Sequence, residues 1–123
     1  MTASAHVRPF LEVVVLDAVA ASLRARGQRV VRLDASGWTE DDDLHRELAA
    51  ALDFPEDYAA TPDALRDALD DVHAPDGLAL AFVGYDGFAA HRPETARLAL
   101  EIIGAWCARG QQLSCLVEPP LSE

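Results

Sequence analysis

Three short segments of the chain have the hydrophobic patterns of β-strands. Arg29–Asp34 alternates polar and apolar side chains, the period of a strand that covers one face. Leu78–Val83 is continuously apolar and lies between glycines, so we expect a strand covered on both faces. Residues 113–117 are apolar apart from one serine and are predicted to form a third strand, which closes the fold.

The segments between these strands carry the spacing and end signals of helices. Thr39 and Asp42 have the spacing of a helix cap, and Thr61-Pro62 predicts a helix over residues 62–72. Pro93 is predicted to begin the last helix and Gly110 to end it. The side chains expected to face the core are Leu44, Leu48, Ala51 and Leu52 in the first helix, Leu65, Ala68, Leu69 and Val72 in the second, and Leu98, Ile102, Ala105 and Trp106 in the last.

The N-terminal segment has an ambiguous pattern. Residues 1–8 are expected to be a loose terminus. Residues 9–26 fit a single helix with Pro9 at its start and Gly27 as its stop, which is the favoured interpretation. Residues 11–16 could instead form a strand, with Asp17 capping a short helix that follows. We expect residues 1–28 to be an extension packed on a domain that spans residues 29–123.

The predicted elements alternate as β-α-α-β-α-β, which indicates an α/β fold. Strands separated by helical crossovers form parallel sheets, and Leu78–Val83 is the best candidate for the central strand. A chain of 123 residues, half of them hydrophobic, can build one domain with an ordinary core.

The excess negative charge is confined to residues 40–76. This segment holds 13 of the 21 acidic residues and only two arginines, so its net charge is −11, and the rest of the chain is neutral. Such asymmetry indicates either a face that meets a basic partner or a face that simply stays solvated. It disfavours binding to nucleic acid, whose phosphates the segment would repel. No apolar run approaches the roughly 20 residues that span a bilayer, so we expect no membrane partner and no signal peptide.

Four acids gather on one side of the predicted second helix. At about 100° per residue, Asp63, Asp67 and Asp70 fall within about 60° of each other with Asp71 beside them, opposite the apolar stripe. We call these four residues the acidic ridge. The pattern alone leaves two interpretations open, an ordinary solvated surface and a ridge shaped for a cationic cleft.

The sequence around this helix resembles the signature of the barstar family of ribonuclease inhibitors. Over residues 52–69 the chain has Phe54-Pro55 followed by an acid, then Tyr58, and then Asp-Ala-Leu-x-Asp-x-Leu from Asp63 to Leu69. A weaker similarity extends from Arg29 to Val117. The resemblance implies a three-stranded parallel sheet packed by helices.

The same resemblance implies an intracellular inhibitor, not an enzyme, that plugs the active site of a basic bacterial ribonuclease. Asp63 and Asp67 match the two inhibitory aspartates of the family, and Asp67 would mimic a phosphate in the enzyme's phosphate-binding site. The neighbouring residues expected to contact the enzyme are Tyr58, Asp57, Thr61, Arg66 and Asp70. We expect a monomer without a cofactor or a metal ion.

Several family residues are replaced around the aspartates. Asp57 stands where the family has its first aromatic residue, Ala59 where it has glycine, and Thr61 where it has asparagine. Pro62 replaces leucine or tryptophan, and Arg66 replaces a tryptophan. A late acidic contact falls near Ala105. These differences bear on tight inhibition of a barnase-like enzyme and not on the fold, and they leave the identity of the partner open.

Other groups of residues suggest alternatives. Residues 84–87 are predicted to be a loop after the central strand, where open parallel sheets bind ligands. A small α/β enzyme or a nucleotide- or small-ligand-binding module is therefore the alternative function.

His45 is expected to make a structural hydrogen bond. The side chains of residues 41–43 are expected to diverge rather than bind a metal. Cys107 and Cys115 lack metal-ligand spacing and are expected to be reduced and buried, as in a cytoplasmic protein. The use of arginine without lysine indicates a G+C-rich bacterial genome.

Overall fold

The computed structural model describes residues 7–9, 13–110 and 112–118. It contains four strands and five helices in these residues: β1 (Val7–Pro9), α1 (Val13–Ala25), β2 (Arg29–Asp34), α2 (Asp41–Leu52), α3 (Pro62–Asp70), β3 (Leu78–Val83), α4 (Tyr85–His91), α5 (Pro93–Arg109) and β4 (Leu113–Glu118). The strands form one sheet in the order β1-β4-β3-β2, and every neighbouring pair is parallel.

The predicted α/β fold is confirmed, with β3 between β2 and β4. Leu80 of β3 pairs with Val31 on one side and with Cys115 on the other. All of β3 is buried except Val83, which is half-buried, because helices cover both faces of the sheet at this strand. The continuous apolar pattern of β3 reflects this double cover.

The two faces of the sheet carry different cores. Leu80 and Phe82 of β3 belong to the larger core, which α2, α3, α4 and α5 complete. On the other face, Ala81 and Leu116 form a smaller cluster with Val19 and Leu23 of α1. The alternation along β3 therefore directs its large side chains toward four helices and a small one toward α1.

The N-terminal segment differs from both sequence interpretations. Val7 and Arg8 pair with β4, so the prediction of a loose terminus over residues 1–8 was wrong for these two residues; residues 1–6 lie outside the described part. Pro9 ends an edge strand instead of starting a helix, a position that tolerates proline because its missing N–H can face outward.

The helix that follows also starts later than predicted. From Val13 onward the chain is helical, so neither a helix from Pro9 nor a strand through residue 16 is correct, and residues 10–12 lie outside the described part. Gly27, with a φ of 88°, turns the chain after α1 as predicted. The division into residues 1–28 and 29–123 stays a prediction.

Two helix boundaries and one inward-facing position differ from the sequence prediction. The N-cap of α2 is Glu40, not Thr39, and α3 ends at Asp70, two residues early. In α5, Ile102 and Trp106 are buried and Leu98 is half-buried, but Ala105 is exposed, so its predicted inward position was wrong. The helix lies between the sheet and α3, and its buried face runs through Ile103 and Cys107 instead.

Candidate functional site

The start of α3 is fixed by its own sequence. The Thr61 hydroxyl accepts a hydrogen bond from the Ala64 N–H at 3.1 Å, and Pro62 occupies the first helical turn. This arrangement is the predicted cap, and it satisfies one of the free N–H groups at the helix end. Thr61 is therefore needed for local structure at the point where the acidic ridge begins.

The two faces of α3 separate apolar from charged side chains. Leu65 and Leu69 are buried against α5, together with Ala68, whereas Asp63 and Asp67 are exposed. Asp70 and Asp71 are exposed as well, so the whole acidic ridge faces solvent as predicted. Val72 lies beyond the helix end and is half-buried.

The carboxylates of the ridge differ in their partners. Arg66 donates to Asp63 at 2.8 Å between Nη1 and Oδ1, and Arg109 of α5 pairs with Asp70. Asp67 has no ion pair or hydrogen bond to its side chain among the residues that the structure describes. Because the Asp63 side chain is 94% exposed, its pairing with Arg66 is weak and is easily exchanged for another cation. Asp67 is the carboxylate most available to a partner.

Tyr58 is anchored beneath the loop that leads to α3. A hydrogen bond of 2.6 Å joins its hydroxyl to Nδ1 of His45, and its ring lies 4.9 Å from that of Phe54. Burial raises the pKa of Tyr58 to about 12 and lowers that of His45, although Asp41 and Asp42 oppose the latter change. The predicted structural role of His45 is confirmed. Tyr58 is half-buried, so only part of its ring is accessible to a binding partner.

The loop between α2 and α3 has a defined backbone. Asp53 and Ala60 have left-handed φ values of 59° and 57°, and the N–H of Tyr58 donates to the carbonyl of Pro55 at 3.0 Å. Asp57, next to Tyr58, is exposed and has no side-chain partner among the described residues. The loop thus holds Asp57 outward and Tyr58 inward shortly before the start of α3.

The first turn of α2 uses its acids for local structure. The Asp43 carboxylate accepts the N–H groups of Thr39 and Glu40, at 2.9 and 3.1 Å, and pairs with Arg46. These donors lower the pKa of Asp43 to about 2. Asp41 pairs instead with Arg92, which lies between α4 and α5, so the acids diverge as predicted. No group of three His, Cys, Asp or Glu residues in the described ranges could hold a metal ion.

The predicted loop at residues 84–87 is the start of α4, so this prediction was wrong. Gly84 and Gly87 allow the chain to pass close to Ser36: a Cβ at Gly84 would lie 2.7 Å from the Ser36 Cβ. Tyr85 is fully buried, and its hydroxyl donates to the Ala96 carbonyl at 2.7 Å. The glycines serve packing against Ser36, and a helix with a buried tyrosine stands where a loop was predicted after β3.

Sequence reasoning missed the residue that holds one end of the ridge. Arg109 comes from the last turn of α5, far along the chain from Asp70, and no local spacing links the two residues.

The two cysteines are as predicted: both are free and buried, and burial raises the pKa of Cys107 to about 12. No helix among the described residues is long and apolar enough to cross a membrane.

A comparison with protein families identifies the fold. The model of the Barstar (barnase inhibitor) family matches residues 28–118, which include α3, the acidic ridge and three of the four strands. No individual curated protein matches the chain. Since the family model covers most of the sequence, the chain belongs to the barstar family, a family of inhibitors.

Proposed function

We propose that this protein inhibits a basic bacterial ribonuclease by covering the enzyme's active site with α3 and the preceding loop. The observation that carries the proposal is the Asp67 carboxylate: it is exposed, has no partner among the described residues, and occupies the position that resembles an inhibitory aspartate of the family. In a cleft built for a phosphate, such a carboxylate accepts charge-assisted hydrogen bonds from the enzyme's cations. The chain itself needs no catalytic group or cofactor for this function.

The surrounding charge supports the same partner. Thirteen acids and two arginines in residues 40–76 give this part of the surface a charge of −11. A field of this sign speeds the approach of a cationic protein and is screened by salt. Asp63 and Asp70 neighbour Asp67 on α3, and Asp57 and Thr61 precede the helix; these four residues would form the margin of the contact.

Two substitutions determine which enzyme fits. Arg66 is exposed between the two aspartates where the resemblance places a tryptophan, and Asp57 is exposed where it places an aromatic residue. An enzyme suited to these residues would offer an acid to Arg66 and a cation to Asp57. The same two residues favour a second candidate function, binding of a basic protein other than a ribonuclease.

The proposal includes a monomer that acts in the cytoplasm. Cys107 and Cys115 are free thiols, the usual state in a reducing compartment. A cytoplasmic inhibitor would protect cellular RNA from the enzyme before its export.

The test measures whether this protein inhibits RNA cleavage by barnase and by any basic ribonuclease that is encoded beside its gene. We expect one equivalent of the wild-type protein to stop cleavage by the neighbouring enzyme. Asp67→Asn should weaken inhibition about thirtyfold or more, because it removes one partner of a charge pair that binding would bury. The control Asp76→Asn makes the same change of charge at another exposed position and should alter inhibition less than about twofold.

Two results would reject the proposal. One is failure of the wild-type protein to inhibit either ribonuclease at micromolar concentration. The other is equal inhibition by Asp67→Asn and wild type, which would remove α3 from the contact. Stable binding to a basic protein without ribonuclease activity would support the second candidate function instead.

A further inference from the structure

A groove lies between α2 and the loop over residues 53–60, which leads into α3. Its volume is about 430 Å³. Asp42, Ala49 and Ala50 line it from α2, and Phe54, Glu56 and Tyr58 line it from the loop. Tyr58 belongs both to this groove and to the loop that leads into α3, so the groove is continuous with the proposed contact surface.

The walls of the groove are apolar and partly aromatic. Phe54 and Tyr58 are half-buried, with their ring centroids 4.9 Å apart, so part of each ring is open to solvent. The Tyr58 hydroxyl is held by His45 at 2.6 Å. The groove therefore presents the ring of Tyr58, together with the methyl groups of Ala49 and Ala50, rather than a free hydroxyl.

The charged groups at the groove favour a cation. Asp42 and Glu56 are exposed, and neither has an ion-pair partner in the part of the chain that the structure describes. Arg46 also lines the groove, but its guanidinium is 2.6 Å from Asp43 and 3.8 Å from Glu47. The Arg46 guanidinium is held by Asp43 and Glu47 and also attracts Asp42 electrostatically, so the carboxylate of Glu56 is the one at the groove without a compensating charge among the described residues.

We propose that this groove takes an arginine side chain of the protein bound by α3, so that the contact surface extends onto α2. The methylene groups of an arginine would lie on the apolar walls while its guanidinium reaches the carboxylates. Arginine suits the site better than lysine because its planar group stacks on aromatic rings and is more weakly hydrated. This inference depends on the proposed function in one respect only, namely that the protein bound by α3 is also the protein whose arginine enters the groove.

The test is an NMR titration of the whole chain with N-acetyl-arginine amide. The matched probes are N-acetyl-citrulline amide, which has the same shape without the charge, and N-acetyl-lysine amide. We expect the arginine probe to bind with a dissociation constant of millimolar order and to shift the amide signals of Ala49, Ala50 and Phe54. The citrulline probe should leave these signals unchanged, and the lysine probe should bind more weakly.

Variants then locate the binding. Glu56→Gln and Asp42→Asn should each weaken binding of the arginine probe about two- to fivefold, the usual effect of one exposed charge contact. Ala50→Leu fills the groove from an exposed helical position and should weaken binding at least as much. Asp76→Asn carries the same charge change outside the groove and should bind the probe as wild type does.

Equal binding of the citrulline probe, or shifts confined to the acidic ridge, would overturn the assignment. So would unchanged affinity in both Glu56→Gln and Ala50→Leu. The titration needs no ribonuclease, so the two proposals fail separately. Probe binding without ribonuclease inhibition rejects the proposed enzyme partner alone, and inhibition without probe binding rejects the groove alone.

Discussion

Stability and partner binding should depend on opposite faces of α3. Two alanine substitutions, Leu69→Ala and Asp67→Ala, distinguish the two effects. Leu69 is fully buried between α3 and the neighbouring helix α5, whereas Asp67 is exposed. Leu69→Ala removes a buried side chain and leaves a cavity, which costs about 2–5 kcal/mol. A domain of this size has only about 5–15 kcal/mol of stability, so the loss is large.

Asp67→Ala should behave differently. The change replaces an unpaired carboxylate by the best helix former and relieves the repulsion from Asp63, one turn away. Each of these effects is worth a few tenths of a kcal/mol, so the free energy of unfolding should stay within about 0.5 kcal/mol of wild type or rise slightly.

Urea unfolding followed by the fluorescence of the buried tryptophans, Trp38 and Trp106, measures both changes. With a slope of about 1.5 kcal/mol per molar urea, a loss of 3 kcal/mol lowers the midpoint by about 2 M. Under conditions where Leu69→Ala remains folded, it should inhibit the partner as wild type does, whereas Asp67→Ala should inhibit about thirtyfold more weakly or worse. A larger loss of stability for Asp67→Ala than for Leu69→Ala would mean that α3 is rotated and that the ridge does not face solvent.

Three further predictions concern the loop, the buried histidine and the thiols. Ala60→Gly should raise the free energy of unfolding by about 0.5–1 kcal/mol in a urea titration, since Ala60 has a left-handed backbone and glycine adopts it without strain; a loss of stability would contradict this. Burial lowers the pKa of His45 below its ordinary 6.5, so the unfolded chain binds protons first and stability should fall as pH drops below about 6.5. The loss of stability at low pH should be smaller in His45→Asn. An equal loss in wild type and His45→Asn would show that other groups cause it. Cys107 and Cys115 are buried with raised pKa values and should not react with a thiol reagent until urea unfolds the protein; rapid reaction of the native protein would show that one of them is accessible.

The sequence predicts correctly those elements that are determined by their own residues. β3 has an apolar run that fits only a covered strand, and Thr61-Pro62 defines the start of α3 without help from distant residues. The acidic ridge followed from helical periodicity, because a helix with one buried face must expose the other. Its resemblance to the barstar signature then linked the ridge to a function.

The elements that were missed depend on contacts across the fold. β1 has only three residues, too few for an alternating pattern, and exists because β4 pairs with it. The sequence predicts a loop over residues 84–87, but Gly84 and Gly87 belong to the start of α4 and allow Ser36 to approach it closely. The pair formed by Arg109 and Asp70 spans two helices, so spacing along the chain carries no sign of it.

The sheet order has a consequence for how the protein is made. Val7 pairs with Cys115, so strands from opposite ends of the chain lie side by side, and every strand pair is parallel. Parallel pairing needs distant segments to meet, which slows folding. During synthesis β3 lacks its neighbour β4 until β4 has left the ribosome, and β1 waits for the same strand. A nascent chain therefore presents incomplete sheet edges until β4 emerges, and truncation before β4 should leave a chain that aggregates.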